Sequence, residues 1–277
     1  MRVKLILISV FFHLSIPFFA QQKFELDYGN NKEAGSYKHI NGIDLYYEIY
    51  GSGKPLILLH GNGGSIKSSS ARIEYFKKSF QVIVIDSRAH GKSVDSGKTP
   101  LTYVQMAADM AALLDSLNLD STYVFGQSDG GILGLLLAIH YPQKVSKVAT
   151  FGANLFPGKK AVFTEVDKMV RDTLRVTQDA RTRQLYSLLA YQPNISVNDL
   201  KKIKCQLLIM CGDRDVIRLE HSIKIFYNIE NSNLFVMPGA THFGAYEKRD
   251  LFNLVLNDFF NAPFSKQSSV ELLTGKK

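Results

Sequence analysis

Cysteine is almost missing from this 277-residue chain, which carries only Cys205 and Cys211. They stand at the two ends of one predicted strand, about 20 Å apart when it is extended, so an intrachain disulfide is excluded. Sustained charge of one sign is missing too. The formal charge of +8 falls to about +6 without Arg2 and Lys4, and the remaining cations come as scattered pairs such as Lys77-Lys78, Lys159-Lys160 and Lys201-Lys202. Such spacing solvates a surface and gives nucleic acid no footing. There is no internal repeat, heptad run or low-complexity segment. Nor is there a metal-ligand cluster, a phosphate loop or a dinucleotide fingerprint, since residues 126–131 lack Gly-x-Gly-x-x-Gly spacing. No cofactor and no metal are therefore expected.

The amino terminus carries an apolar run behind two cations. Arg2 and Lys4 precede an apolar run over residues 5–12 that continues weakly to Ala20, broken by His13 and Pro17. A membrane-spanning helix needs about 20 apolar residues, so the pattern reads as a signal peptide over residues 1–20, cleaved after Ala20. Phe18 is bulky for its place in a small-x-small cleavage site, which leaves an uncleaved anchor as the alternative. No cysteine lies nearby to take a lipid. The expected product is secreted or periplasmic, without a stable membrane partner once the signal is removed.

With 45% hydrophobic and 21% charged residues, the rest of the chain can bury a large core. A flexible, polar, Asn-rich leader is expected over residues 21–35. Asn41-Gly42 between two β-rich runs signals a hairpin. Residues 55–60 and 81–86 are continuous apolar runs, the mark of strands buried on both faces of a parallel sheet. Helical spacing follows over residues 66–78 and 101–117, then a strand at 123–125, a helix over 132–140 and a strand at 147–151. The alternation pauses at 153–197, where two amphipathic helices read as an inserted cap or as ordinary core packing. It resumes with strands near 205–210 and 233–237 and a closing helix at 251–260. The expected architecture is α/β, a mostly parallel sheet flanked by helices on both faces, with antiparallel strands at its amino-terminal edge. Its core takes residues 36–152 and 198–262, and a frayed tail follows over 263–277.

One stretch organises the rest. Gly126-Gln-Ser-Asp-Gly130 fits Gly-x-Ser-x-Gly, a strand-to-helix turn that pushes the serine hydroxyl outward. The other reactive side chains also follow predicted strands: His60 and Asn62, Asp86 and Arg88, Asp213 and Asp215, and His242. Functional loops of such sheets lie at the carboxyl ends of the strands. Serine needs a base to take its proton and an acid to orient that base. His242 follows the last strand, and Asp213 and Asp215 both follow Gly212 in the strand before.

Over residues 36–260 the chain resembles the α/β-hydrolase superfamily, in His60-Gly61, the loop from Asp86 to Ser93, the serine turn, Gly212-Asp-Arg-Asp215 and Gly239-Ala-Thr-His242. The resemblance implies a triad of Ser128, Asp215 and His242, the acid standing three residues after Gly212. Asp213 is left to cap the turn or the next helix. It implies an oxyanion hole made by the backbone N–H groups of Asn62 and Asp129, with Gly63 as the alternative to Asn62. His60, Asp86, Arg88 and His90 are read as loop scaffolding, with Ala89 where the family usually has glycine. The expected activity is a serine hydrolase acting on a small-molecule, ester-like substrate. Three alternatives stand beside it: an aminopeptidase or amino-acid ester hydrolase that uses Asp129 to hold an ammonium group, a hydrolase of carbon–carbon bonds, and a binding protein that has lost turnover. Oligomeric state is not legible.

Overall fold

The computed structural model describes residues 24–96 and 99–275, so the signal peptide expected over residues 1–20 lies outside the described residues. Eight strands form one sheet: β1 (Gly35–Ile40), β2 (Ile43–Tyr50), β3 (Lys54–Leu59), β4 (Phe80–Ile85), β5 (Thr122–Gln127), β6 (Val145–Phe151), β7 (Gln206–Gly212) and β8 (Ser232–Met237). Their spatial order is β1-β2-β4-β3-β5-β6-β7-β8. β2 pairs antiparallel with β1 and β4, and every other pairing is parallel. This is the fold class that the strand and helix alternation predicts. The Asn41-Gly42 hairpin forms as expected, with φ of 46° and 83° at its two turn residues.

The helices are α1 (Ser70–Phe76), α2 (Tyr103–Ser116), α3 (Asp129–His140), α4 (Thr164–Val176), α5 (Ala180–Tyr191), α6 (Val197–Leu200), α7 (Leu219–Tyr227), α8 (Gly244–Glu247), α9 (Arg249–Asn261) and α10 (Ser269–Thr274). Strand residues alternate between two cores. Ile57, Leu59, Ile83, Ile85 and Val124 join Met106, Met110, Leu113, Leu133 and Leu136 of α2 and α3 on one face. Leu56, Leu58, Val82, Val84 and Phe125 meet Ile73, Phe76, Phe252 and Leu256 of α1 and α9 on the other. With both faces covered, each such side chain contributes about 1.5–3 kcal/mol, which is why these strands are apolar throughout.

Three segments differ from expectation. The helix predicted over residues 66–78 starts as a 3₁₀ turn at Ile66–Ser69 and becomes α-helical only over α1. The leader is docked from Phe24 onward rather than flexible: Tyr28 is buried against Tyr50, and the amides of Gly29 and Asn31 donate to the Glu48 carboxylate. Glu48 is fully buried and accepts two further bonds, from the hydroxyls of Tyr46 and Tyr50. Four donors offset the desolvation of one carboxylate, and two of them belong to the leader. The tail contains α10, capped reciprocally by Ser268 and Glu271, a Ser-x-x-Glu signal present in the sequence.

In the interval predicted as a cap, α4 buries only Val170, whereas α5 buries Leu185, Leu188 and Ala190. Leu185 and Leu188 belong to the α2–α3 core. The interval is therefore continuous with the main packing on one helix and solvated on the other.

Candidate active site

Parallel register brings the strand ends together. Leu59 pairs with Ile85 and Gly126, Gln127 with Phe151, Phe151 with Met210, and Gly212 with Met237. The loops carrying His60, Asp86, Ser128, Asp215 and His242 therefore leave one edge of the sheet.

Ser128 lies between β5 and α3 with φ 54° and ψ −117°, a backbone conformation that costs a residue with a β-carbon energy and that persists only where its surroundings enforce it. Here the enforcement is visible. The Ser128 amide donates to Phe151 O at 2.7 Å, and its carbonyl accepts from Gly131 and Ile132. The turn is so close that a β-carbon on Gly126 would stand 2.0 Å from Gly130 O. Ser128 is half-buried.

His242 and Asp215 meet. The imidazole Nδ1–H donates to Asp215 Oδ1 at 2.6 Å, and the same oxygen accepts from the Ile217 amide at 3.0 Å. Asp215 is buried, while Asp213, two residues earlier in the same turn, is exposed. Burial pushes the Asp215 carboxyl up, but the charge and hydrogen bond of His242 and the neighbouring amides hold it below its ordinary value. For His242 burial opposes the imidazolium, and the charge and hydrogen bond of Asp215, with the charge of Asp129, outweigh it and raise the pKa. The pairing commits Nδ1 and leaves Nε2 for other chemistry.

Ser128 and His242 make no direct side-chain hydrogen bond. They are tied through their surroundings: Gln127 Nε2 donates to His242 O at 3.2 Å, and Gly152, next to the Phe151 carbonyl that holds Ser128, lies against the His242 ring. Neither Gln127 nor Gly152 stands out in the sequence, because each matters only through a partner remote in the chain.

Asn62 and Gly63 occupy the centre of a turn closed by Gly64 N–H to Gly61 O at 3.0 Å, with Gly63 at φ 68°, the pattern of a type II turn. Asp129 opens α3, where the first backbone N–H groups have no helical acceptor. The side chains of these two residues also touch: Asn62 Nδ2 donates to Asp129 Oδ2 at 2.9 Å. Asp129 is 2% exposed. Burial drives its carboxyl up to about 6 although Asn62, Tyr103 and His242 favour the charged form. The Tyr103 hydroxyl interacts electrostatically with that carboxylate without reaching hydrogen-bond geometry.

The other polar residues brace loops. His60 Nδ1–H donates to Gly61 O while Nε2 accepts from the Ser87 amide, and burial lowers its pKa to about 4. Asp86 accepts from the amides of Ile66 and Lys92. Arg88 makes a two-pronged pair with fully buried Asp109, at 2.7 and 2.9 Å. His90 donates through Nδ1 to Arg88 O. Ala89 accepts the left-handed backbone, φ 64°, where glycine is usual. A recess of about 330 Å³ adjoins the acid loop, lined by Phe163, Asp213, Arg214 and Asp215 among others; Ser128 does not line it.

A family model described as the alpha/beta hydrolase fold matches residues 54–201. Residues of this chain are 39% identical over 110 positions to "Putative carbamate hydrolase RutD" of Azorhizobium caulinodans, covering 39% of this chain and 41% of that protein, so the match spans less than half of its length. Identity to the serine hydrolase BPHL of Homo sapiens is 28% over 250 residues, with 79% of this chain and 84% of BPHL covered. Among solved structures, the enol-lactonase of Burkholderia xenovorans LB400 superposes with a TM-score of 0.69 at 19% identity, over 81% of this chain and 99% of that one.

Proposed function

The chain belongs to the alpha/beta hydrolase fold family, and from that premise we propose that it is a serine hydrolase cleaving a small ester-like bond through an acyl-enzyme. The observation that carries the reading is the 2.6 Å bond from His242 to buried Asp215, at the same sheet edge as Ser128 on its strained turn. That bond sets the tautomer of a base whose free nitrogen can take a hydroxyl proton.

As substrate enters, Ser128 Oγ attacks the carbonyl carbon and its proton passes to His242 Nε2. Asp215 stabilises the resulting imidazolium. The electron pair of the carbonyl π bond moves to oxygen, and the N–H groups of Asn62 and Asp129 receive the oxyanion, each worth about 3 kcal/mol. Collapse expels the alcohol, which takes the proton from His242. Water then repeats the sequence on the acyl-enzyme and releases the acid. The name of the 28%-identical relative, a serine hydrolase, supports a serine nucleophile.

Turnover of p-nitrophenyl acetate or butyrate tests the proposal. Wild type should hydrolyse the ester and bind a fluorophosphonate covalently at Ser128, and Ser128→Ala should lose nearly all of both. Equal rates for the two proteins would refute it.

A second reading is favoured by one observation, the buried carboxylate of Asp129 beside Ser128. On that reading the substrate is an aminoacyl ester or amide whose ammonium pairs with Asp129, and Asp129→Asn removes a preference for aminoacyl over simple acyl esters. Export is likewise a proposal, supported by the apolar run behind Arg2 and Lys4. Amino-terminal sequencing of the mature protein from a periplasmic or secreted fraction should begin at Gln21.

A further inference from the structure

The two N–H groups assigned above to the oxyanion lie on separate elements, one in the turn after β3 and one at the first position of α3. A donor works only within a window of a few tenths of an ångström around the developing charge, so their relative placement has to be held. The turn is poorly suited to hold it. Its four residues include Gly61, Gly63 and Gly64, and it is closed by one backbone hydrogen bond. Glycine resists displacement least of all residues. The start of α3, by contrast, is locked by the bonds of Ser128 to β6 and to its own first turn.

Resting on the acyl-transfer reading, we propose that the side-chain hydrogen bond between Asn62 and Asp129 is a strut that fixes one oxyanion donor against the other. It joins residues 67 positions apart at 2.9 Å, and Asn62 Nδ2 also reaches Leu185 O of α5 at 3.4 Å. The carboxylate is 2% exposed and the Tyr103 ring 1% exposed, so the strut is closed off from water on the side of α2. The Tyr103 hydroxyl, buried without a hydrogen-bond partner, faces the same carboxylate and backs it. Asn62 and Asp129 thus have two roles each. Their backbones donate to the oxyanion, and their side chains hold those backbones in register. An ammonium seated on Asp129 would have to share or displace Asn62, so the strut and the aminoacyl reading make different demands on one carboxylate: the strut needs an acceptor oxygen, the ammonium a charge.

The experiment compares wild type with Asn62→Ala, Asp129→Ala, the double variant and Asp129→Asn on p-nitrophenyl butyrate. Active sites are counted by fluorophosphonate titration, so that only folded enzyme enters kcat. Inhibition by an alkyl trifluoromethyl ketone, which adds to serine and places an oxyanion in the hole, is measured alongside. Each alanine variant keeps its backbone N–H and should lose about 30- to 100-fold in kcat. KM should stay within about threefold, and ketone affinity should fall in parallel with kcat. The double variant should be no worse than the poorer single one, because a strut is broken once. Asp129→Asn, which keeps an acceptor oxygen, should restore most of what Asp129→Ala loses. Losses that multiply in the double variant would overturn the proposal, as would unchanged kcat, or an Asp129→Asn as poor as Asp129→Ala. If Asp129→Ala fails to fold, Asn62→Ala still decides, since Asn62 lies on a half-exposed turn. A wild type without esterase activity would instead sink the acyl-transfer reading, so the two failures are separable.

Discussion

Replacing Gly152 with alanine should cripple the enzyme by displacing its proposed base, His242, without removing any reacting atom. Gly152 follows β6 with φ 67°, and a β-carbon there would stand 2.6 Å from His242 Cε1, 2.7 Å from Nδ1 and 3.2 Å from Asp215 Oδ2. The left-handed backbone costs an alanine about 1–2 kcal/mol. Clearing the contact moves the ring by about 0.8 Å, to an ordinary separation near 3.4 Å. The ring can move, since the His242 side chain is 15% exposed, whereas Asp215 is fully buried and its Oδ1 is held by the Ile217 amide. The 2.6 Å bond would stretch past useful length, and misplacements near 1 Å cost about 100-fold in rate. We therefore expect kcat/KM to fall about 100-fold and stability by about 1–2 kcal/mol. The pH profile supplies an independent sign. Burial alone would lower the His242 pKa, and the charge and hydrogen bond of Asp215 reverse this to a net rise. A loosened bond lets the pKa drop, so the acid limb of kcat/KM should move to lower pH while the plateau falls. Ester hydrolysis across the pH range, normalised by active-site titration, reads both. Wild-type kcat/KM with an unmoved acid limb would refute the reasoning, and a lower Tm with full activity per folded site would reduce Gly152 to a conformational requirement.

Asp215→Asn should lower kcat by about 10⁴-fold by disturbing the tautomer, whereas exposed Asp213→Ala should stay within about threefold; steady-state kinetics of the two variants test the proposed acid against its neighbour. The buried carboxylates of Asp215 and Asp129 have opposite linkage to pH, and urea denaturation checks both. Asp215, held below its ordinary value by His242, stabilises the fold above the unfolded carboxylate pKa, and that contribution disappears as pH falls through the lower folded value. Asp129, raised to about 6, is costly when charged: Asp129→Asn should stabilise the protein by up to about 3 kcal/mol at pH 8 and by little at pH 4. Equal effects at the two pH values would contradict that burial. Glu48→Ala should cost about 3 kcal/mol, because the buried hydroxyls of Tyr46 and Tyr50 lose their acceptor. It should also release the leader, seen as new proteolytic cuts over residues 24–34.

Much of the fold was legible because its signals are short-range. Apolar runs, Asn41-Gly42, helical spacing and the glycines around Ser128 each act within a few residues, and together they determine strand order along the chain and which loops leave the carboxyl edge. The serine turn is the strongest of these, since its strained backbone and the glycines that permit it all lie within residues 126–130. What the tertiary structure alone decided lies between residues distant in sequence. Asp213 and Asp215 share one turn, and only its folded path buries one against His242, 27 positions away, while exposing the other. The leader reads as flexible from composition, yet a single buried carboxylate on β2 recruits it. Asn62 to Asp129, Gln127 to His242 and Gly152 to the imidazole depend on strand register and on side chains meeting over an edge built from six loops. Local pattern specifies each loop's place on the sheet; contact between loops follows from packing, where displacements smaller than an ångström decide what touches.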